Sequence, residues 1–394
     1  MILRGGAVFD SERRQFGAGV DVVCGQGRIE KLGSNLPAPD GAEVVDASGM
    51  YVLPGLIDCH VHLASSGAPQ ALTESMREPP HLRALRAAVH ARKTLEAGFT
   101  TVRDLGAPEH LNVHLAKAIE EGVAEGPRIV AAGMGVTMTG GHGHGFIARE
   151  ADGPDEVRKA VREQLRAGAT AIKLFASGGV MTPGVDPRSP SFTEEELRAG
   201  VEEAHKAFRV VGAHAQATEG IMNAVRAGVD SIEHGVWLDE EILELMAAQG
   251  TYLVPTLTAP YHIAHGGLDA GIPKYMVDKG WQVLDAHIES YGKALKAGVK
   301  VAMGTDQGTP LSYPGDNAQE VLRMAEYGLS NGDAIMAATG WAADLLRLDA
   351  ECGRIREGLR ADLLLVRRDP LKDVGALASP EDRAGVIKGG ERVA

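Results

Sequence analysis

The chain has 394 residues, with 53 Asp and Glu against 40 Lys and Arg and a formal net charge of −13. Hydrophobic residues at 44% and charged residues at 24% describe a globular chain with a sizeable core, which excludes extended disorder. The acidic balance, with no Lys/Arg cluster, speaks against a nucleic-acid partner, and no run of about 18 apolar residues is present to span a membrane.

The start, Met1-Ile2-Leu3-Arg4-Gly5-Gly6, has no basic stretch followed by an apolar core, so no secretory signal is expected. Residues 1–52 hold short β runs at 2–9, 20–23 and 28–33, separated by turn residues. Residues 53–349 follow another rule: Ala-, Glu- and Arg-rich stretches stop at a glycine, and a short apolar run follows. Leu95-Glu96-Ala97-Gly98-Phe99-Thr100-Thr101-Val102 is one copy, and others centre on Gly168, Gly228, Gly250 and Gly298. Glycine takes the left-handed cap that ends a helix, and the apolar run has the length of a buried parallel strand. Strands are predicted at 52–58, 99–104, 128–132, 170–175, 209–213, 229–233, 252–255 and 299–303, with helices at 156–167, 194–208 and 240–248 among those between them. Eight alternating units predict an α/β fold, a (β/α)8 TIM barrel. Residues 350–394 return to β runs at 361–366 and 386–390, so the two termini are expected to build one small β-sandwich domain. Cys24, Cys59 and Cys352 are too few and too scattered for a disulfide framework, which fits a reducing, cytoplasmic compartment.

Barrel chemistry sits at the carboxyl ends of the strands. The first strand ends Ile57-Asp58-Cys59-His60-Val61-His62, and residues two apart on an extended segment face the same way. Two imidazoles so placed are a common start for a metal site, and Cys59 then faces away. The fourth strand carries Lys173 inside Ala171-Ile172-Lys173-Leu174-Phe175. The fifth ends at His214, the sixth at His234 and the eighth at Asp306. A shared site explains this set of strand ends better than separate polar residues do.

Pro54-Gly55-Leu56-Ile57-Asp58-Cys59-His60-Val61-His62 resembles the opening signature of the amidohydrolase superfamily, and the likeness extends over almost the whole chain. Ile172-Lys173-Leu174-Phe175-Ala176-Ser177-Gly178-Gly179-Val180, Ser231-Ile232-Glu233-His234-Gly235 and Val254-Pro255-Thr256-Leu257 are similar to the imidazolonepropionase-related branch, with its prolidase-like and Xaa-Arg dipeptidase-like members. The resemblance implies a binuclear metal centre and hydrolysis of a carbon–nitrogen bond. His60, His62 and Asp306 would hold one divalent ion and His214 and His234 the other. Lys173, carboxylated by carbon dioxide, would bridge them, because a free ammonium has no acceptor to offer a cation. Nitrogen and oxygen donors without thiolates suit zinc first, then manganese or cobalt. Two ions about 3.5–4 Å apart would make a bridging hydroxide at neutral pH, with Asp306 moving its proton to the leaving nitrogen.

On the substrate side, Met138-Thr139-Gly140-Gly141-His142-Gly143-His144-Gly145 matches the Gly-Gly-His-Gly of the prolidase-like branch, so His142 is expected to stabilise the carbonyl oxygen, with His144 beside it. Gln216 stands where these relatives often carry Tyr or His. Arg188 is the guanidinium to consider for a substrate carboxylate. Tyr261, in a pocket-facing loop at 258–267 expected to act as a lid, and Asn317, after the eighth strand, complete the set. Arg103 is read as ion-paired structure; His81, His90, His110, His114, His205 and His287 as surface or interface residues. Val180, Met181 and Trp237 are expected to make the pocket apolar. The favoured small-molecule substrate is an Xaa-Pro-like dipeptide or N-acyl amino acid. The alternatives are a cyclic amide or non-peptide amide, carbamate or urea and, outside catalysis, a metal-free scaffold. Barrels of this size often assemble as homo-oligomers, and no interface is legible in the sequence.

Overall fold

The computed structural model describes residues 1–393. The amino-terminal β runs form strands Ile2–Asp10, Gln15–Gly25, Arg28–Gly33, Val44–Asp46 and Tyr51–Pro54. The far end of the chain rejoins them. Leu363–Val366 lies antiparallel to Tyr51–Pro54, with Leu364 opposite Leu53, and Arg383–Lys388 extends the sheet further. The resulting eight-stranded sheet curls until Arg28 bridges Arg360, enclosing Leu3, Val22, Ile29, Val52, Leu363 and Leu365.

Seven parallel barrel strands follow: Leu56–Val61, Phe99–Asp104, Arg128–Ala131, Ala171–Phe175, Val210–Ala215, Ser231–His234 and Tyr252–Val254. The first starts later than predicted because residues 51–54 are claimed by the terminal sheet. Between the third and fourth strands the short Gly135–Thr137 pairs with Ala171–Phe175, and Thr170 N–H donates to Ala131 O at 2.8 Å. The eighth wall, predicted as a strand at 299–303, is extended but not a regular strand. Leu253 N–H donates to Lys300 O at 2.8 Å on one side, and Cys59 N–H to Met303 O at 2.9 Å on the other. Two donors of this seam, on Met303 and Ile57, are taken by the carbonyls of Ala337 and Ala338, which interrupts the ladder. The ring still closes, and Asp306 N–H donates to His60 O at 2.8 Å at its top.

The helices start and stop where the local chemistry dictates. Thr193 and Glu196 form a reciprocal capping box on Glu194–Lys206, while Asp239 caps Glu240–Gln249. Gly168, Gly228 and Gly250 end their helices at φ 101°, 90° and 74°. After Glu194–Lys206 the same left-handed turn is made by Phe208 at φ 60°, at a cost of about 1 kcal/mol for a side chain with a Cβ. Cys24, Cys59 and Cys352 are all buried and unpaired. No helix among the described residues is long and apolar enough to cross a membrane.

The segment predicted as a loop at 258–267 is a helix, Thr258–Gly266. Its first turn is capped from outside by the buried Glu320, which lies on helix Gln319–Glu326. Oε1 accepts from Leu257 N–H at 2.8 Å, and Oε2 accepts from the N–H and hydroxyl of Thr258 at 2.8 and 2.6 Å. Burial pushes the Glu320 carboxyl from 4.5 up to about 7. The fold therefore binds this proton more tightly than the unfolded chain does. Its favourable contribution is complete below pH 4.5 and is lost as pH rises through 7. Thermal midpoints of wild type and Glu320→Gln across this window should diverge, the wild type losing ground as pH rises. Parallel curves would remove Glu320 as the titrating group.

Candidate active site

Strand geometry brings the predicted polar ends together. His60, His62, Lys173, His214, His234 and Asp306 all line one cavity at the carboxyl end of the barrel. Asp306 Oδ1 stands 3.3 Å from Nε2 of both His60 and His62. His60, His234 and Asp306 offer three donor atoms within 4.8 Å of one another, and the His214 and His234 rings are 4.6 Å apart. Backbone strain collects here: His234, Thr256 and Asp306 have φ of 73°, 53° and 57°. Left-handed turns of this kind cost about 1–3 kcal/mol each and persist where the surroundings over-determine them.

Each imidazole has one nitrogen committed to a neighbour. His60 Nδ1–H donates to Glu233 Oε2 at 2.9 Å, and His62 Nδ1–H to Gly106 O at 2.9 Å. His234 Nδ1–H donates to Thr256 Oγ1 at 2.6 Å, whose own hydroxyl is spent on Pro255 O. His214 uses the opposite nitrogen, with Nε2–H on Gly178 O at 2.8 Å. The remaining nitrogens keep their lone pairs, which is how a protein fixes the tautomer of a metal-binding histidine. Burial lowers His60 to about 4 and holds His214 and His234 well below the usual histidine value, so the rings are neutral. For Asp306 burial opposes ionisation, but His60, His62 and Lys173 outweigh it and hold the carboxyl below its ordinary range.

Lys173 is 1% exposed, and its Nζ has no hydrogen-bond partner. Burial brings its pKa down from 10.5 to about 8, against the pull of Glu233 and Asp306. His62 differs: burial disfavours its charged form, but the Asp306 carboxylate beside Nε2 outweighs this and raises its pKa, an anion-facing nitrogen that a cation could take over. An orphaned amine among these imidazoles and a carboxylate is a donor set that fits divalent cations once the amine becomes an anion.

Two carboxylates missed as site residues hold this arrangement from below. Glu233 is fully buried and ties His60 to Arg103, whose Nη2 donates to Oε1 at 2.8 Å. Arg103 also donates to Cys59 O and Ser231 Oγ, as an ion-paired structural residue should. Asp58 joins the first and eighth walls, accepting from His60 N–H, Thr305 N–H, the Thr305 hydroxyl and Asn317 Nδ2. In sequence, Glu233 announced itself only as a charge inside a buried strand.

The substrate-side candidates divide. His142 and Gln216 line the cavity, and Gln216 Oε1 is buried without a partner. Burial drives His142 down to about 3, leaving a neutral ring. The other four are not among the cavity-lining residues. Asn317 is spent on Asp58 beneath the floor. The exposed Arg188 stacks 5.2 Å from the Trp237 ring, so neither reaches the cavity wall. Tyr261 turns outward under the Arg323 guanidinium, 3.6 Å from its ring centre. His144 is exposed, and its Nδ1–H donates to Gly141 O. His287 corrects the surface assignment: it is 1% exposed, lines the cavity and bonds His234 O through Nε2 at 2.9 Å. His90 is likewise buried, with Nδ1–H on Leu63 O. Leu72, Phe146, Ile147, Val180, Val236 and Ile263 supply much of the apolar wall, which encloses about 890 Å³ with its mouth included.

Residues 51–393 match the amidohydrolase family. The chain belongs to that family. Ochratoxinase of Aspergillus niger is 34% identical over 369 residues, which span 86% of this chain and 75% of that one. An Xaa-Pro dipeptidase crystallised with methionine in its active site is 33% identical, with a TM-score of 0.90 over 99% of this chain and 98% of that one. A prolidase complexed with N-methylphosphonate-L-proline is 35% identical, with a TM-score of 0.92 over the same shares. As a prolidase-like amidohydrolase, the protein is a hydrolase acting on carbon–nitrogen bonds. Amidohydrolases generally use divalent metals, and the His60, His234 and Asp306 donors fit that use.

Proposed function

We propose that this amidohydrolase cleaves the amide bond of an Xaa-Pro-like dipeptide or an N-acyl amino acid at a pair of divalent cations, zinc in the first instance. The observation that carries the reading is the orphaned, buried Lys173 amine in the same cavity as the histidine and aspartate donors. His60, His62 and Asp306 would hold one ion, His214 and His234 the other, and Lys173 both, once carbon dioxide has converted its free amine to a carbamate. Bound there, the ions would supply Lewis acidity toward a carbonyl oxygen and lower the pKa of water toward about 7.

The chain's own groups do the rest. Asp306 is kept ionised, and with Oδ1 facing two imidazoles it has Oδ2 free to take a proton from water and pass it to the leaving nitrogen. His142 has Nδ1 engaged by Thr182, which leaves its other nitrogen to donate toward the developing oxyanion. Gln216 Oε1, buried without a partner, is available to accept from a substrate N–H. The apolar wall excludes water and receives uncharged side chains on either side of the amide. Support for the substrate class comes from the prolidase and Xaa-Pro dipeptidase neighbours. The acidic charge favours a small-molecule partner over nucleic acid, and three free cysteines fit a cytoplasmic setting.

One feature favours a second reading. No arginine stands among the cavity-lining residues, so a substrate carboxylate would lack a guanidinium partner. An uncharged amide, lactam, carbamate or aryl urea would not need one. Zinc-replete protein tested on dipeptides and N-acyl amino acids against lactams, carbamates and ureas separates the two. Turnover of the first panel is expected; turnover of the second alone would replace the dipeptide reading. Silence on both, with near-zero metal after growth in added zinc and bicarbonate, would leave a scaffold.

A further inference from the structure

Helix Thr258–Gly266 is followed by Lys274–Lys296, and this second helix reaches back to the site. Lys279 Nζ donates to three main-chain carbonyls of one loop: Gly179 O at 3.2 Å, Thr182 O at 2.9 Å and Val185 O. One turn earlier, the Tyr275 hydroxyl donates to Met181 O at 2.9 Å. Four bonds thus fasten the loop at 178–185 to a helix that supplies no candidate metal ligand.

That loop holds two rings of the site. Gly178 O takes the Nε2–H of His214. Thr182 Oγ1 lies 2.7 Å from His142 Nδ1 and accepts the Gly143 N–H at 3.1 Å. Among the described residues the Thr182 hydroxyl has no acceptor other than Nδ1, so its proton goes there and His142 carries its own proton on Nε2. Gly179 makes the seat, since a Cβ there would stand 2.6 Å from both Cε1 and Nε2 of His142. Three carbonyls aimed at one point repel one another as dipoles unless a cation with three donors lies between them, and a lysine ammonium has that number.

We propose that Lys279 is a positioning residue for hydrolysis: by fastening the loop at 178–185 it fixes the tautomer and tilt of His142. The inference rests on the reading of His142 as donor to the substrate carbonyl. Lys279→Met keeps the apolar stem and removes all three donors. Histidine-selective 15N NMR of zinc-replete protein, with His142 assigned by Asn replacement, reads the ring directly. In Lys279→Met the His142 nitrogens should move from a single Nε2–H tautomer toward an averaged mixture, while His90, anchored elsewhere on Leu63 O, stays unmoved. Lys279→Arg should restore most of the wild-type signal. On the best substrate of the first panel, kcat should fall about 10–100-fold in Lys279→Met with KM changed less than about threefold. Thr182→Val is the companion variant should Lys279→Met fold poorly, and it too should shift His142. Unmoved His142 signals in either folded variant overturn the proposal. Full turnover by His142→Asn would instead remove the donor role of His142 while leaving the loop coupling to be read from the spectra.

Discussion

Replacing Lys173 by alanine is expected to lower kcat/KM by about a thousandfold or more, equivalent to roughly 4 kcal/mol of transition-state stabilisation. The amine shares the cavity of the donor set and makes no hydrogen bond, so its loss breaks no hydrogen bond that holds the barrel together. In metal-free protein Lys173→Met, which keeps the volume, should match or exceed the wild-type thermal midpoint, because an unsatisfied buried amine is a cost to the fold. The two outcomes together separate a functional lysine from a structural one. Addition of a short carboxylic acid such as propionate to Lys173→Ala should return part of the lost turnover by supplying two oxygens where the carbamate stood. Wild-type turnover in Lys173→Met without any added acid would end the bridging role and, with it, the paired-cation reading.

The features legible in sequence are those set by covalent periodicity. His60 and His62 are two apart on an extended segment, so their convergence follows from strand geometry alone. Lys173, His214, His234 and Asp306 stand at or near the carboxyl ends of apolar runs, and barrel closure does the rest. What escaped depends on side-chain direction, which tertiary partners decide. Asn317 was expected to meet substrate, but Asp58 needed a donor and took its amide. Arg188 found the face of Trp237, and Tyr261 found Arg323. His287 lies on a helix, where a polar residue reads as surface, yet the helix packs across the barrel mouth and turns that ring inward. Pro260 and Gly266-Gly267 read as loop signals, whereas Pro260 falls in the first turn of a helix, where its missing N–H costs nothing. In sequence Glu233 is one residue of a motif beside a candidate ligand; its role appears only where Arg103 crosses from the second strand to meet it.

That crossing pair yields the largest expected effect on stability. Both side chains are fully buried, with Arg103 Nη2 2.8 Å from Glu233 Oε1. Arg103→Met would strand the Glu233 charge in the core and should cost about 3–5 kcal/mol. For a chain of this size that is a fall of roughly 5 °C in Tm. Adding Glu233→Gln should recover part of the loss, since no unpaired charge then remains. The pH dependence gives a sharper test. Burial alone would raise the Glu233 carboxyl, but Arg103 and the His60 hydrogen bond pull it from 4.5 down to about 2. In the wild type this contributes stability that is complete above pH 4.5 and is lost as pH falls toward 2. Without Arg103 the burial effect regains influence and the carboxyl rises, so the variant binds its proton in the fold and gains relative to wild type on acidification. The gap in Tm between metal-free wild type and Arg103→Met should therefore narrow steadily from pH 7 to pH 4. A gap that stays constant over that range would mean that the loss comes from the guanidinium contacts to Cys59 O and Ser231 Oγ rather than from a stranded charge.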